Sequence, residues 1–187
     1  LIEQHSQPIM VLNRRLRRHP AHCVYSDQQA AAAAVVDRLV GMGHSDIAFI
    51  TGSADSPTGM ERLAGYREAL SRQDIPVQEA LIAPGKWTPA CGAAAVSTLL
   101  ARGVSFTALI ASNDDMAIGA IKQLHECGVS VPEQVSVVGF DDIALAPYVI
   151  PSLASVKMPV TEMIQETINR LIAMVEEGEP EALPSFS

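Results

Sequence analysis

Cysteine is scarce in this sequence and odd in number: Cys23, Cys91 and Cys127 stand far apart. That argues against a disulfide framework and fits a reducing compartment, with the thiols as small buried side chains. Positive charge is also short. Thirteen Lys and Arg against 21 Asp and Glu leave a net charge of −8, a poor basis for a nucleic-acid surface. No apolar run approaches the roughly 20 residues a membrane span needs. No signal peptide opens the chain, which starts at Leu1, mid-pattern, without an initiating Met. Enzyme signatures are missing as well. There is no G-x-S-x-G, H-E-x-x-H or C-x-x-C. Gly41-Met42-Gly43 follows a helical pattern and lacks a third Gly, and Gly85-Lys86 lacks the upstream Gly of a phosphate loop. His5, His19, His22, His44 and His125 show no ligand spacing and read as surface or hydrogen-bonded residues.

What is present is enough apolar material for a core: 48% of 187 residues, spread evenly, which suits one domain or one and a piece of another. Apolar runs predict strands at Pro8–Asn13, His22–Ser26, Asp46–Thr51, Ala80–Ala83, Thr107–Ala111, Val135–Phe140 and Leu153–Val156. Between them lie helical patterns. Residues 28–42 carry a stripe of Val35, Val36, Leu39, Val40 and Met42. A second helix begins at Thr58, where Thr58-x-x-Glu61 has capping-box spacing, and presents Leu63, Tyr66 and Leu70. Thr88-Pro89 opens a third helix, to about Ala101, and a fourth runs from Asp114 to Cys127. A fifth, 161–177, has the strongest period, through Ile164, Ile168, Leu171, Ile172 and Val175. Ser185–Ser187 reads as the start of a further strand. Strand–helix alternation of this kind predicts an α/β fold with a doubly wound parallel sheet and helices on both faces.

Two strands stop at acidic clusters. Val135–Phe140 ends in Asp141-Asp142, and Thr107–Ser112 leads into Asn113-Asp114-Asp115. Open α/β sheets bind ligands just beyond the carboxyl ends of their strands, so these residues mark the floor of a polar site. The aspartates could hold Mg²⁺, accept hydrogen bonds from ligand hydroxyls, or cap helices. A metal usually comes with a phosphate-binding device, and none is visible. Trp87, the sole tryptophan, sits in a loop between a strand and a helix. It packs locally or offers an indole face to the apolar face of a sugar. Arg62, early in its helix, makes a surface ion pair or a ligand contact. The cluster Arg14, Arg15, Arg17 and Arg18 reads as a solvated loop.

Together, Arg62-Leu-Ala-Gly-Tyr, Ala111-Ser-Asn-Asp-Asp-Met-Ala-Ile-Gly-Ala and Val137-Val-Gly-Phe-Asp-Asp resemble, in order and spacing, the lac and gal repressor family of bacterial transcription regulators. The resemblance covers the whole chain. It implies a sensor of the periplasmic-binding-protein-like type I fold, present as a fragment with one nearly complete subdomain. Residues 1–26 would end the N-terminal sensor subdomain, 27–157 would form the C-terminal one, and 158–187 would be the return helix and crossover of the first. The hinge strands would run through Ser26–Gln28 and Lys157–Pro159. The resemblance further implies that Arg62, Asn113 and Asp141 bind an effector, with Trp87 as aromatic platform and Asn13 standing where some members have Asp. The implied effector is a sugar or β-glucoside. The implied partners are operator DNA, through a helix-turn-helix domain absent from this chain, and further copies in a homodimer or higher oligomer. No cofactor, catalysis or membrane is implied, and the setting is cytoplasmic. A periplasmic sugar-binding protein of a transport system has the same fold, and an α/β enzyme using the aspartates is a further alternative.

Overall fold

A computed structural model describes residues 7–16 and 18–176. It separates into two compact units: Leu1–Asp27 with Met158–Ser187, and Gln28–Lys157. The last expected strand, at Ser185–Ser187, lies outside the described residues.

The larger unit holds strands β3 (Ile47–Ile50), β4 (Ile82–Ala83), β5 (Ala108–Ala111), β6 (Ser136–Asp141) and β7 (Ala154–Lys157). They form one parallel sheet in the order β4-β3-β5-β6-β7. Period-two alternation sorts their side chains onto two faces. Ile47, Phe49, Ala108, Ile110 and Phe140 pack with helices α1 (Gln28–Gly41) and α2 (Pro57–Arg72). Ala48, Ile50, Leu109, Ala111 and Val137 pack with α3 (Pro89–Ala101) and α4 (Asp114–Glu126). The sheet is therefore covered on both faces, which is why its central strands read as continuous apolar runs rather than alternating ones. From β3 the chain winds outward to β4 and then returns to β5 on the other side. That reversal puts a switch point at the carboxyl ends of β3 and β5. β6 and β7 are joined through residues 142–153 without an α-helix, close to the minimum length for a parallel crossover.

The first unit contains β1 (Val11–Leu12), paired in parallel with β2 (Cys23–Val24), and α5 (Val160–Glu176). Arg170 of α5 is buried, donating through Nη1 to the Cys23 carbonyl at 3.2 Å and through Nε to Glu166 at 2.7 Å. Arg15 lies over the Tyr25 ring at 5.8 Å.

Several boundaries differ from expectation. β1, β2 and β4 are two residues each, because their pairing covers two positions, and 3₁₀ turns at Pro20–His22 and Glu79–Leu81 immediately precede β2 and β4. Helix α2 begins one residue before Thr58. Ser56 is its N-cap, its hydroxyl accepting from Gly59 N–H, and Pro57 occupies the first turn. Thr58 therefore lies inside the first turn and not at the N-cap that a Thr58–Glu61 capping box requires. Proline's fixed φ is preorganised for N1, so the Ser-Pro pair decides the start. On α1 the buried face is Ala32, Ala33, Val36 and Leu39, and Met42 is exposed. On α5 Met163 is buried, whereas Ile164, Ile168, Ile172 and Val175 are exposed. Periodicity shows that a helix face is apolar, not that a neighbour in the same chain covers it.

Tyr66 fixes α2 to the sheet. It is fully buried, stacks at a tilt on Phe49 with centroids 4.9 Å apart, and donates its hydroxyl to the Ile47 carbonyl at 2.8 Å. Burial, aided by Glu79, pushes its phenol up to about 12. The folded state therefore holds this proton through a range where the unfolded chain has lost it, and stability falls as pH rises from about 10 to 12. Against wild type, Tyr66→Phe should flatten that alkaline loss by up to about 2 kcal/mol in denaturant titrations. An identical alkaline slope in both proteins would contradict it.

Candidate functional site

The residues singled out in the larger unit sit at the carboxyl ends of its strands. Arg62 is the centre. Although charged, it is 3% exposed. Its Nε donates to Gln28 Oε1 at 2.8 Å and its Nη1 to the Ser112 carbonyl. Nη2 lies 3.5 Å from Asp141 Oδ1. Its plane covers the Phe140 ring at 4.2 Å, a cation–π contact made in a desolvated setting. Burial lowers the pKa of Arg62, and Asp141 and Asp114 work against that shift. A guanidinium so placed stays protonated and acts as a fixed fork of donors.

Asp141 closes β6. Its side chain is 43% exposed, so the carboxylate meets Arg62 on one side and solvent on the other. Burial raises its pKa, while Arg62 pulls it down and Asp114 adds to the rise. Its backbone has φ +107°, and Asp142 follows at φ +53°. Two consecutive non-glycine residues at positive φ are uncommon and cost about 1–3 kcal/mol each, so something must hold this corner.

Asn113 is the N-cap of α4. Its Oδ1 accepts from Met116 N–H at 3.0 Å, and its Nδ2 donates to the Trp87 carbonyl at 3.1 Å. One amide thus starts a helix and holds the neighbouring loop. Trp87 is half-buried with φ +66°, and its six-membered ring lies over Gly52, where a Cβ would collide with it. The absence of a side chain at 52, after β3, gives the indole its seat.

Asp114 is fully buried, and Ile143 N–H and the Ser155 hydroxyl bond its two oxygens at 2.9 and 2.6 Å. Burial raises its pKa, against those two hydrogen bonds. Of the two roles open to it, fixing the neighbouring loop is the one its contacts serve. Asp115 and Asp142 are exposed. Asp115 lies in the first turn of α4, where a negative charge meets the helix dipole favourably. Arg62, Asp141, Asn113 and Trp87 are thus linked through Ser112–Asn113 and the Trp87 carbonyl. Asn13 belongs to the other unit, exposed after β1 at φ +57°, with its N–H on the Val24 carbonyl at 2.7 Å. Four partners at the site were not legible as such in the sequence: Gln28, which read only as part of a hinge span, Ser112 and Phe140, which read only as strand-end residues, and Ser155 beneath the corner.

The model of the periplasmic binding protein-like domain matches residues 36–185. The chain is 61% identical to a crystal structure of a sugar-binding transcriptional regulator of the LacI family from Escherichia coli, complexed with phosphate. The two superpose with a TM-score of 0.94 over 100% of this chain and 67% of that one. The chain belongs to the LacI family of transcriptional regulators. Within that family it is 60% identical over its whole length to the HTH-type transcriptional regulator AscG of Escherichia coli K12. It covers 56% of AscG, so it spans about half the length of the curated relative it matches. A structure of the transcriptional regulator CelR with cellobiose is 35% identical, with a TM-score of 0.81 over 88% of this chain and 50% of that one. These LacI-family relatives are regulators, and they favour that reading over a transport component.

Proposed function

We propose that this chain is the effector-sensing part of a sugar-responsive transcriptional repressor. The observation that carries the reading is the buried Arg62 paired with half-exposed Asp141, beside Asn113 and the Trp87 indole, at the strand ends of a LacI-family sensor fold. A rigid fork of donors, an anionic acceptor and an aromatic face are what a polyhydroxylated ring needs: directional contacts at its hydroxyls and an apolar wall. The effector is a sugar or β-glucoside. Residues 27–157 form the C-terminal sensor subdomain, and 1–26 and 158–187, with Asn13, belong to the N-terminal one. The protein performs no chemistry. It works in the cytoplasm as a homodimer on operator DNA, which is held by a helix-turn-helix domain. The effector binds the DNA-releasing arrangement of the subdomains better than the DNA-binding one, and that difference in affinity is the signal.

Asp141→Asn tests the site, since it keeps the shape and removes the charge. Calorimetry on the product of the full reading frame should show effector affinity weakened by about 1.5–3 kcal/mol, the range for hydrogen bonds to charged groups. Unchanged affinity would assign Asp141 a structural role.

A further inference from the structure

Asp114 is a carboxylate with no exposed surface, so it is not available as a ligand group, yet it lies beneath the one acidic residue that faces both Arg62 and solvent. Its two oxygens reach in two directions. Oδ2 accepts from Ile143 N–H, two residues past Asp141. Oδ1 accepts from the Ser155 hydroxyl on β7, and that same hydroxyl accepts from Asp142 N–H at 3.0 Å. The N–H groups of both residues following Asp141 are therefore held, that of Ile143 by Asp114 directly and that of Asp142 by the Ser155 hydroxyl, with the Asp114 carboxylate also acting on it. Strand register makes the arrangement possible. Gly139 is the cross-strand partner of Ser155, and a Cβ at 139 would collide with Asp114 Oδ1. The bare backbone at 139 is the slot through which the carboxylate reaches β7.

The corner so held is the left-handed pair Asp141–Asp142. Nothing in the local preference of aspartate keeps two consecutive residues there, so the hydrogen bonds must. From these contacts we infer that Asp114, acting with Ser155, is a positioning residue for Asp141: it sets the corner that presents the Asp141 carboxylate to Arg62 and to the ligand side of the sheet. The same bonds fasten the corner to β7, whose last residue, Lys157, is the register partner of Asp141 and the final residue of this unit. The inference rests on Asp141 being an effector contact, as proposed above.

The test uses the chain itself, with no ligand, so it stands apart from whether any sugar binds. Amide exchange and the HN–Hα couplings of Asp141 and Asp142, which report φ, are followed by NMR in wild type, Ser155→Ala, Ser155→Thr and Asp114→Ala. In Ser155→Ala the Asp142 amide should exchange about tenfold faster or more, while Ile143 stays protected. In Asp114→Ala both should lose protection. The couplings should move towards averaged values in both, and Ser155→Thr, which keeps the hydroxyl, should restore them. Amides of Leu109 and Ile110 in β5 report global opening. If Asp114→Ala does not fold, the Ser155 pair decides. Couplings that stay at wild-type values in folded Ser155→Ala, or exchange that rises equally at Leu109 and Ile110, would overturn the inference.

Discussion

Replacing Arg62 with methionine should destabilise the larger unit by about 3 kcal/mol. The side chain keeps much of its volume against Phe140, but the fork is gone. Gln28 Oε1 and the Ser112 carbonyl, both buried acceptors, lose their donor. Asp141 loses its counter-charge. Breaking a buried ion pair from one side costs about 3–5 kcal/mol, and the low end applies because the Asp141 carboxylate is 43% exposed and can turn to water. Arg62→Lys restores the charge without the planar donors and should recover part of the loss. Urea denaturation of the three proteins measures this. A loss below about 1 kcal/mol for the methionine variant would mean that the guanidinium is not what joins α1, α2, β5 and β6 at this end of the sheet.

Trp87→Ala should have the next largest effect, and it should fall on two quantities at once. The indole packs against the cluster under α3 and α4 and rests on Gly52. It is half-buried, so truncation should cost about 2 kcal/mol of stability, less than for an aromatic in the core. If its open face is the apolar wall for a sugar ring, effector affinity should fall by about a further 1.5–3 kcal/mol. The positive φ at 87 is relieved little by alanine, so the backbone contributes small change either way. Stability lost with affinity intact would make Trp87 a packing residue and leave Arg62, Asn113 and Asp141 to carry the site.

Features legible in the sequence were those set by local chemistry. β6 announced itself as a valine-rich run ending in two aspartates, and Thr88-Pro89 capped α3 where the pair stands. Ser56-Pro57 carried the same signal for α2, and the competing Thr58–Glu61 spacing hid it. The partners of Arg62 were out of reach, because Gln28 is 34 residues away along the chain and Ser112 is 50. Only the sheet order brings them together. The two-way use of Asn113 was half legible: an Asn before a helical pattern predicts a cap, but not that its amide also holds the carbonyl of Trp87. On α5 the helix and its apolar stripe were legible, but not whether the stripe is covered, since an apolar stripe names no partner.

Trp87 emission, taken as the difference between wild type and Trp87→Phe, gives the most direct test of an effector site at these strand ends. The product of the full reading frame is titrated with β-glucosides and free sugars while emission and heat are recorded together. The expected result is a saturable change in emission with the same midpoint as the heat, shifted to weaker binding in Asp141→Asn. Saturable heat with no change in emission, and with the same midpoint in Asp141→Asn, would contradict it and place the effector away from these strand ends.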